Sequence, residues 1–157
     1  MKALEYLREL KAKMVRDPLP PEDVAGGWAL GMFVGCAVPF GLQLLVSVPL
    51  SIMMRVSKIG ATVGTLITNP VSIFLIYPAQ TMMMAWILRR DISWSTIKSA
   101  MLALARDGGW SKLMAMSGEL IICFLLGGFL LALIFTPITY FAVKRIVIRH
   151  RARLGGK

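Results

Sequence analysis

Three long apolar runs without a charged residue dominate the chain. No Asp, Glu, Lys, Arg or His occurs in residues 24–54, 59–88 or 120–143. Each run exceeds the roughly 18 residues that indicate a transmembrane candidate. The pattern therefore predicts an all-α integral membrane protein that forms a single domain over residues 1–157.

The first two runs are too long for one straight crossing, and each is interrupted near its middle. As straight helices at about 1.5 Å per residue they would reach roughly 45 Å, against a hydrocarbon core of about 30 Å. Pro39 and Gly41 interrupt the first run, and Asn69 and Pro70 interrupt the second. Proline removes a backbone donor and clashes with the preceding turn. These runs are therefore predicted to be broken or re-entrant helices, with a single tilted, proline-kinked helix as the alternative, whereas the third run is predicted to cross once.

Uncharged amide side chains accompany both breaks. Gln43 follows the first break and Asn69 forms part of the second. An amide in hydrocarbon is costly unless it is paired, so these groups either join helices by hydrogen bonds or line a polar cavity. In a cavity, the N-termini of half-helices would present N–H groups to an anion. The candidate ligand or cavity residues are Pro39, Gly41, Gln43, Asn69 and Pro70.

Small residues recur four apart in the first two runs. Gly27, Gly31 and Gly35 form one stripe, and Gly60 and Gly64 form another. Such stripes let helix backbones approach closely, so that van der Waals contact replaces the missing hydrophobic driving force. We expect these segments to pack on each other or on a partner subunit.

Amphipathic and basic segments flank the apolar runs. The flanking segment of residues 1–22 is predicted to form an amphipathic helix over residues 1–16 that lies at the membrane surface and ends at prolines, with a solvated helix as the alternative. Residues 89–119 form a polar interval with a second amphipathic stretch. The cations clustered in residues 144–157 are typical of a cytoplasmic segment that contacts anionic head groups. The predicted head-group contacts are Lys144, Arg145, Arg149, Arg151 and Arg153.

The distribution of Lys and Arg bears on orientation. The four flanks hold five, two, five and six of these cations in chain order. Three simple crossings would divide them ten against eight, which is almost no bias. If only the first two runs cross, sixteen of these cations lie on one side of the membrane and two on the other. If only the last two runs cross, thirteen lie on one side and five on the other. The positive-inside rule favours two crossings with both termini in the cytoplasm, and leaves open which run is re-entrant.

Composition excludes several classes of protein. The chain is 57% hydrophobic and 17% charged with a net charge of +10, whereas a soluble domain is roughly 45–50% apolar and about 25% charged. A soluble enzyme and a disordered chain are therefore not expected. The cations lie between and beyond apolar runs rather than on a solvated face, so we expect anionic membrane lipids and not nucleic acid as a partner.

The titratable residues form no pattern for catalysis or metal binding. The single histidine, His150, lies in the basic tail, and no carboxylate lies inside an apolar run. Cys36 and Cys123 are far apart in sequence and lie in apolar runs. Without a nucleophile–base pair or a ligand cluster, we predict no enzyme activity, no cofactor and no metal.

The residues around the two breaks resemble a bacterial membrane family named domain of unknown function 2062. The resemblance is specific from about Asp23 to Tyr77 and loose from there to Tyr140. Ser57 and Lys58 depart from the pattern, because relatives often have an Asn before the second run. The matching residues are Gly27-Trp28-Ala29-Leu30-Gly31-Met32-Phe33-Val34-Gly35, Pro39-Phe40-Gly41-Leu42-Gln43, Arg55, Gly64-Thr65, Asn69-Pro70 and Tyr77.

This resemblance implies a multi-pass protein of the bacterial inner membrane, and it supplies no activity. Some relatives carry the module beside a glycosyltransferase, which suggests pathways of envelope glycans or lipid-linked sugars. Two hypotheses follow. The first is a small carrier or lipid-handling module for anionic lipids or lipid-linked head groups, acting as a homo-oligomer. The alternative is a non-catalytic scaffold that binds enzymes of envelope glycan or lipid biosynthesis.

Overall fold

The computed structural model describes residues 2–39, 41–66, 70–107 and 118–155, and every regular element in this part is an α-helix. The all-α prediction is confirmed. The helices are α1 (Lys2–Arg16), α2 (Pro21–Ala37), α3 (Gln43–Met53), α4 (Lys58–Thr65), α5 (Pro70–Ile87), α6 (Trp94–Asp107) and α7 (Gly118–Gly155).

The first apolar run is divided into two helices by its proline and glycine. α2 ends because Val38, which precedes Pro39, is extended with φ −106° and ψ 134°. Proline disfavours helical backbone in the residue before it. Gly41 has a φ of +98°, which glycine adopts at little cost because it has no Cβ. The chain therefore reverses between the two helices rather than continuing as one kinked helix.

α2 and α3 lie side by side as an antiparallel hairpin. At the turn, the Gln43 side chain bonds to the carbonyl of Gly35 at 2.9 Å. At the open end, the Ser57 N–H donates to the Asp23 carbonyl at 3.0 Å. The residues that enter and leave the hairpin therefore lie next to each other, at the end opposite the turn.

The second apolar run begins beside α2 and runs parallel to it as α4. A Cβ built on Gly60 would lie 2.9 Å from the Trp28 nitrogen, and one on Gly64 would lie 2.9 Å from the Gly31 Cα. α5 then continues the run along α7, where Gln80 bonds to the Phe124 carbonyl at 3.3 Å.

The third apolar run and the basic tail form one continuous helix, α7, of 38 residues. α7 is antiparallel to α2, since Phe33 stacks edge-on against Phe129 and Arg151 bonds to the Leu19 carbonyl. We call the end with Asp17, Ser57 and Arg151 the proximal end. The distal end holds the ion pair of Arg90 with Glu119, at 2.8 Å. Arg151 and Glu119 are about 48 Å apart along α7 at 1.5 Å per residue.

Large apolar side chains cover much of the surface. Within the described residues, α7 is the one helix long and apolar enough to cross a membrane, with a mean hydropathy of 2.6 over 18 residues, and 28% of that window is buried. Gln43–Met53 and Phe74–Ile87 are shorter apolar helices. Leu45, Met53, Leu75 and Phe141 are among the most exposed side chains. An exposed apolar surface of this kind is stable in contact with lipid or with another apolar protein surface.

Two amphipathic helices flank the apolar runs. In the flanking segment of residues 1–22, α1 ends at Arg16, as the proline pattern predicts, and α2 already begins at Pro21. α6 forms the amphipathic helix of the polar interval, and its Ile97 packs against Tyr77, Leu120 and Phe124.

Candidate functional site

The break in the first apolar run is closed by Gln43. This side chain is 4% exposed, and its Nε2 donates to the carbonyl of Gly35 at 2.9 Å and to that of Val38 at 3.0 Å. The last carbonyls of a helix have no partner within the helix. Gln43 therefore supplies donors to carbonyls at the end of α2, next to the break.

The other residues of the predicted cavity do not gather around Gln43. Pro39 is half-buried, and Gly41 is exposed, with nothing within 4 Å of a Cβ built on it. Pro70 is the first residue of α5, and Asn69 lies outside the described residues. Within the described part, the amide at the first break is thus engaged with its own chain.

The glycines predicted for helix packing lie at close approaches between α2 and α4. A Cβ on Gly27 would lie 2.8 Å from the Ser57 Cβ, and one on Gly31 would lie 2.7 Å from the Gly64 Cα. Either atom would have to displace the neighbouring helix, because real Cβ contacts are longer. Gly60 and Gly64 face the same contact from α4, and Gly35 is buried in α2. The stripes join two segments of one chain and leave no gap between them.

A second buried amide, Gln80, lies where α5 meets α7. It is 1% exposed, and its Nε2 donates to Phe124, whereas its Oε1 has no hydrogen-bond partner within the described part of the chain. A Cβ on Gly127 would lie 2.8 Å from the Gln80 carbonyl carbon. The sequence signal for Gln80 is an amide inside an uncharged run, and it was not among the predicted site residues.

A buried polar cluster holds the proximal end together, and sequence analysis did not find it. We call Asp17, Ser57 and Arg151 the Asp17 cluster. Asp17 is 5% exposed and Ser57 is fully buried, and the Ser57 hydroxyl donates to Asp17 Oδ2. The Ser57 Oγ also accepts from the Gly60 N–H at 2.8 Å and so caps α4. The one available signal was a serine before the helical pattern, which is typical of an N-cap.

Arg151 connects the tail of α7 to the linker before α2. Its Nη2 donates to the Asp17 carbonyl at 2.6 Å and to the Leu19 carbonyl at 2.8 Å. The Leu19 N–H in turn donates to Asp17 Oδ1 at 3.2 Å. The cluster thus joins the linker, the start of α4 and the end of α7, which are far apart in sequence.

Lys144, another predicted head-group contact, also has a protein partner. Its Nζ lies 3.1 Å from Glu22 Oε1 and 5.9 Å from the centroid of the Tyr140 ring. Backbone hydrogen bonding near the start of α2 and the ammonium group of Lys144 lower the pKa of the Glu22 carboxyl. The remaining predicted contacts, Arg145, Arg149 and Arg153, are exposed.

Some residues in the described part of the chain are of types that could bind a metal ion or act as a nucleophile. The described residues contain no group of three His, Cys, Asp or Glu residues placed to hold a metal ion. Cys36 and Cys123 are free and buried. The Asp17 carboxylate contacts a serine that caps a helix, which is a structural arrangement rather than a nucleophile and base open to a substrate.

Comparison with known proteins finds one bacterial family. The sequence model described as "Uncharacterized protein conserved in bacteria (DUF2062)" matches residues 4–154. No curated protein matches, and no solved structure matches. The match extends the resemblance noted around the breaks to nearly the whole chain.

Proposed function

Since the chain belongs to this bacterial family, we propose that it is a non-catalytic, multi-pass module of the inner membrane that acts as a scaffold for other envelope proteins. The proposal has two parts, a membrane topology and a scaffolding role. Each part rests on its own contacts and has its own experiment.

In the proposed topology, α2 and α3 form a re-entrant hairpin, and the chain crosses twice, once through α4 and α5 and once through α7. The hydrogen bond from Ser57 to the Asp23 carbonyl supports the hairpin, because it keeps both open ends at one level. The Asp17 cluster supports it too, since Arg151 and Ser57 meet at the same linker.

This topology corresponds to one of the two even arrangements favoured by charge. The N-terminal flank, the turn after α3 and the tail carry thirteen Lys and Arg residues, and the connection between α5 and α7 carries five. The positive-inside rule then assigns the proximal end and both termini to the cytoplasm.

Site-directed cysteine labelling tests the topology. Cys36 and Cys123 are first replaced by serine, and single cysteines are introduced by Lys58→Cys, Arg153→Cys or Ser95→Cys. We expect a membrane-impermeant maleimide to label the Ser95→Cys protein in intact spheroplasts, and the other two only after permeabilisation. Labelling of Lys58→Cys and Arg153→Cys from opposite sides would overturn the re-entrant hairpin.

The scaffolding role rests mainly on the closure of the first break by Gln43. Because its amide bonds to two carbonyls of its own chain, the break needs no ligand or water to satisfy those groups. The glycine contacts between α2 and α4 leave no room for a solute between these helices. Meanwhile α3 and α7 expose apolar faces, with Leu45 at 73% and Phe141 at 68%, and such faces suit lipid or a membrane partner.

Photo-crosslinking tests the scaffolding role. A photoreactive residue replaces Leu45 or Phe141 in cells, and the control position is Cys123, which is 1% exposed. We expect a stoichiometric cross-link to one other membrane protein at an exposed position and none at the control. Cross-links only between copies of this chain, or only to lipid, would contradict a scaffold for other proteins.

One observation favours a carrier as the second candidate function. The Gln80 Oε1 atom is buried and has no partner among the residues that the structure describes, and an unpaired buried acceptor costs about 1–3 kcal/mol. Purified protein in liposomes tests this with fluorescent phosphatidylglycerol. The carrier would be established if the wild-type protein translocates the lipid faster than empty liposomes do and Gln80→Met abolishes this excess. A wild-type rate equal to that of empty liposomes would favour the scaffold.

A further inference from the structure

Cations from two separate parts of the chain lie at the proximal end. Ser57 and Arg151 both bond to Asp17, so the residues next to each of them lie at the same end of the molecule. Arg55 and Lys58 flank Ser57, and Arg149 and Arg153 flank Arg151 two positions away. All four side chains are exposed. The sequence predicted head-group contacts for the tail alone. In the structure, the cations of the turn after α3 lie at the same end as those of the tail.

The acidic groups at this end are already engaged or set back. The Asp17 carboxylate is buried and accepts from Ser57 and Leu19. Glu22 pairs with Lys144, and Asp23 is only half-buried at the level of Ser57. Arg151 is committed to backbone carbonyls. The charge left exposed at this end is therefore mainly positive, and of the tail cations predicted to contact head groups, Lys144 and Arg151 already have protein partners.

Exposed apolar side chains adjoin these cations. Ile52, Met53 and Met54 directly precede Arg55, and Ile59 follows Lys58. Ile146 and Ile148 lie between the cations of the tail. A positive surface bordered by exposed apolar groups matches the boundary between lipid head groups and acyl chains, whereas a surface for nucleic acid would be bordered by solvated polar groups.

We propose that Arg55, Lys58, Arg149 and Arg153, which are all exposed at the proximal end, together bind the phosphodiester head groups of anionic lipids, and we call these four residues the composite surface. This inference rests on the proposed topology, because it requires the turn after α3 and the tail to face the same leaflet. Arg55 has a φ of +57° at the end of α3, and this conformation directs the chain from α3 into the capped start of α4. The guanidinium groups supply paired donors for phosphate oxygens, and Lys58 supplies a point charge.

Lipid titration of the full chain tests the composite surface. The protein is purified in neutral detergent and titrated with phosphatidylglycerol, and then with phosphatidylcholine, in mixed micelles. The test variant is Arg55→Gln with Lys58→Gln. The matched control is Arg89→Gln with Lys98→Gln, because Arg89 is an exposed distal cation that also has a positive φ, of 52°.

We expect the test variant to lose affinity for phosphatidylglycerol by about 30-fold, at roughly fivefold for each removed cation. The control should change less than about twofold, and phosphatidylcholine binding should be weak in all three proteins. Glycerol phosphate in solution should compete poorly, since it lacks the acyl chains that contact the apolar border. Equal losses in test and control, no loss in either, or full competition by glycerol phosphate would each overturn the proposal.

A second variant covers a failure to fold. If the test variant does not purify as a monodisperse protein, Arg149→Gln with Arg153→Gln removes the same number of charges from α7 alone, and the same loss is expected. The labelling experiment distinguishes the two proposals. If Lys58 and Arg153 face one side and lipid affinity is unchanged, only the composite surface is wrong.

Discussion

Gln43 shows how a polar side chain in a long apolar run is satisfied within its own chain. Its Nε2 bonds to two carbonyls near the end of α2. Removing a buried partner leaves those groups unsatisfied, which costs about 1–3 kcal/mol. The amide is therefore a local requirement of the break, whatever else the protein binds.

Gln43→Ala should lower the free energy of unfolding by about 1–3 kcal/mol, because the Gly35 and Val38 carbonyls lose their donor. Denaturant unfolding in detergent, followed by circular dichroism, measures this. Leu44→Ala on the same helix is the control, since Leu44 is 48% exposed and should change stability by less than about 0.5 kcal/mol. A Gln43→Ala protein as stable as the wild type would contradict the capping role.

Gly31→Ala should destabilise the protein by about 1–3 kcal/mol through overpacking. A Cβ there would lie 2.7 Å from the Gly64 Cα, and backbone atoms cannot move aside as a flexible side chain can. Gly118→Ala is the matched control, because a Cβ on Gly118 would have no atom of the described residues within 4 Å. Thermal unfolding of both variants in one detergent compares them, and equal midpoints would show that α2 and α4 do not pack through these glycines.

At the scale of the helix, α3 and α5 end in the same way. The Val56 N–H donates to the Ser51 carbonyl at 3.0 Å, and the Arg90 N–H donates to the Ala85 carbonyl at 2.8 Å. At each helix end, the residue just before the donor, Arg55 or Arg89, has a positive φ. This is the helix ending in which glycine is usual at the left-handed position, so each helix carries an arginine where the backbone favours glycine.

Arg89→Gly should therefore stabilise the protein by roughly 0.5–1 kcal/mol, by relieving the left-handed strain of a residue with a Cβ. Arg89→Ala removes the same charge and keeps the Cβ, so it should give no such gain. Unfolding free energies of the two variants separate conformation from charge. A gain in the alanine variant equal to that of glycine would point to charge instead.

Sequence patterns predicted the elements better than their arrangement. The all-α class and the break at Pro39 and Gly41 follow from local backbone chemistry, and both agree with the structure. The sequence did not predict which helix each glycine stripe contacts, because a stripe shows only that a close approach between helices is allowed. The interlocking of Asp17 and Ser57 did not follow either, since forty positions separate them.

At the scale of the whole molecule, the two ends are held by different means. The Asp17 cluster joins three segments that are far apart in the chain through the buried Asp17 and Ser57 side chains at the proximal end. At the distal end, Arg90 and Glu119 form an exposed pair, and such pairs contribute little to stability. The proximal end should accordingly be the more stable part of the fold.

Arg151→Met should loosen the end of α7 from the linker before α2. The variant loses two charge-assisted hydrogen bonds, each worth about 1.5–3 kcal/mol, although the end of a helix relaxes and recovers part of this. Amide hydrogen exchange should rise at Asp17 and Leu19, the linker residues that carry an N–H, and in residues 145–153. Arg149→Met, which removes an exposed cation from the same helix, is the control, and equal exchange in the two variants would contradict the role of Arg151.

By itself, the sequence determined the helical class, the apolar runs, the position of the first break and the surplus of cations, because each depends on the composition or on neighbouring residues. Only the tertiary structure decided that the first run returns on itself, that the glycine stripes of α2 and α4 face each other, and that Arg151 bonds to the linker while its neighbours stay exposed. These features depend on contacts between residues far apart in the chain. An apolar run has no period or charge that specifies which helix it will meet, so only packing selects the partner.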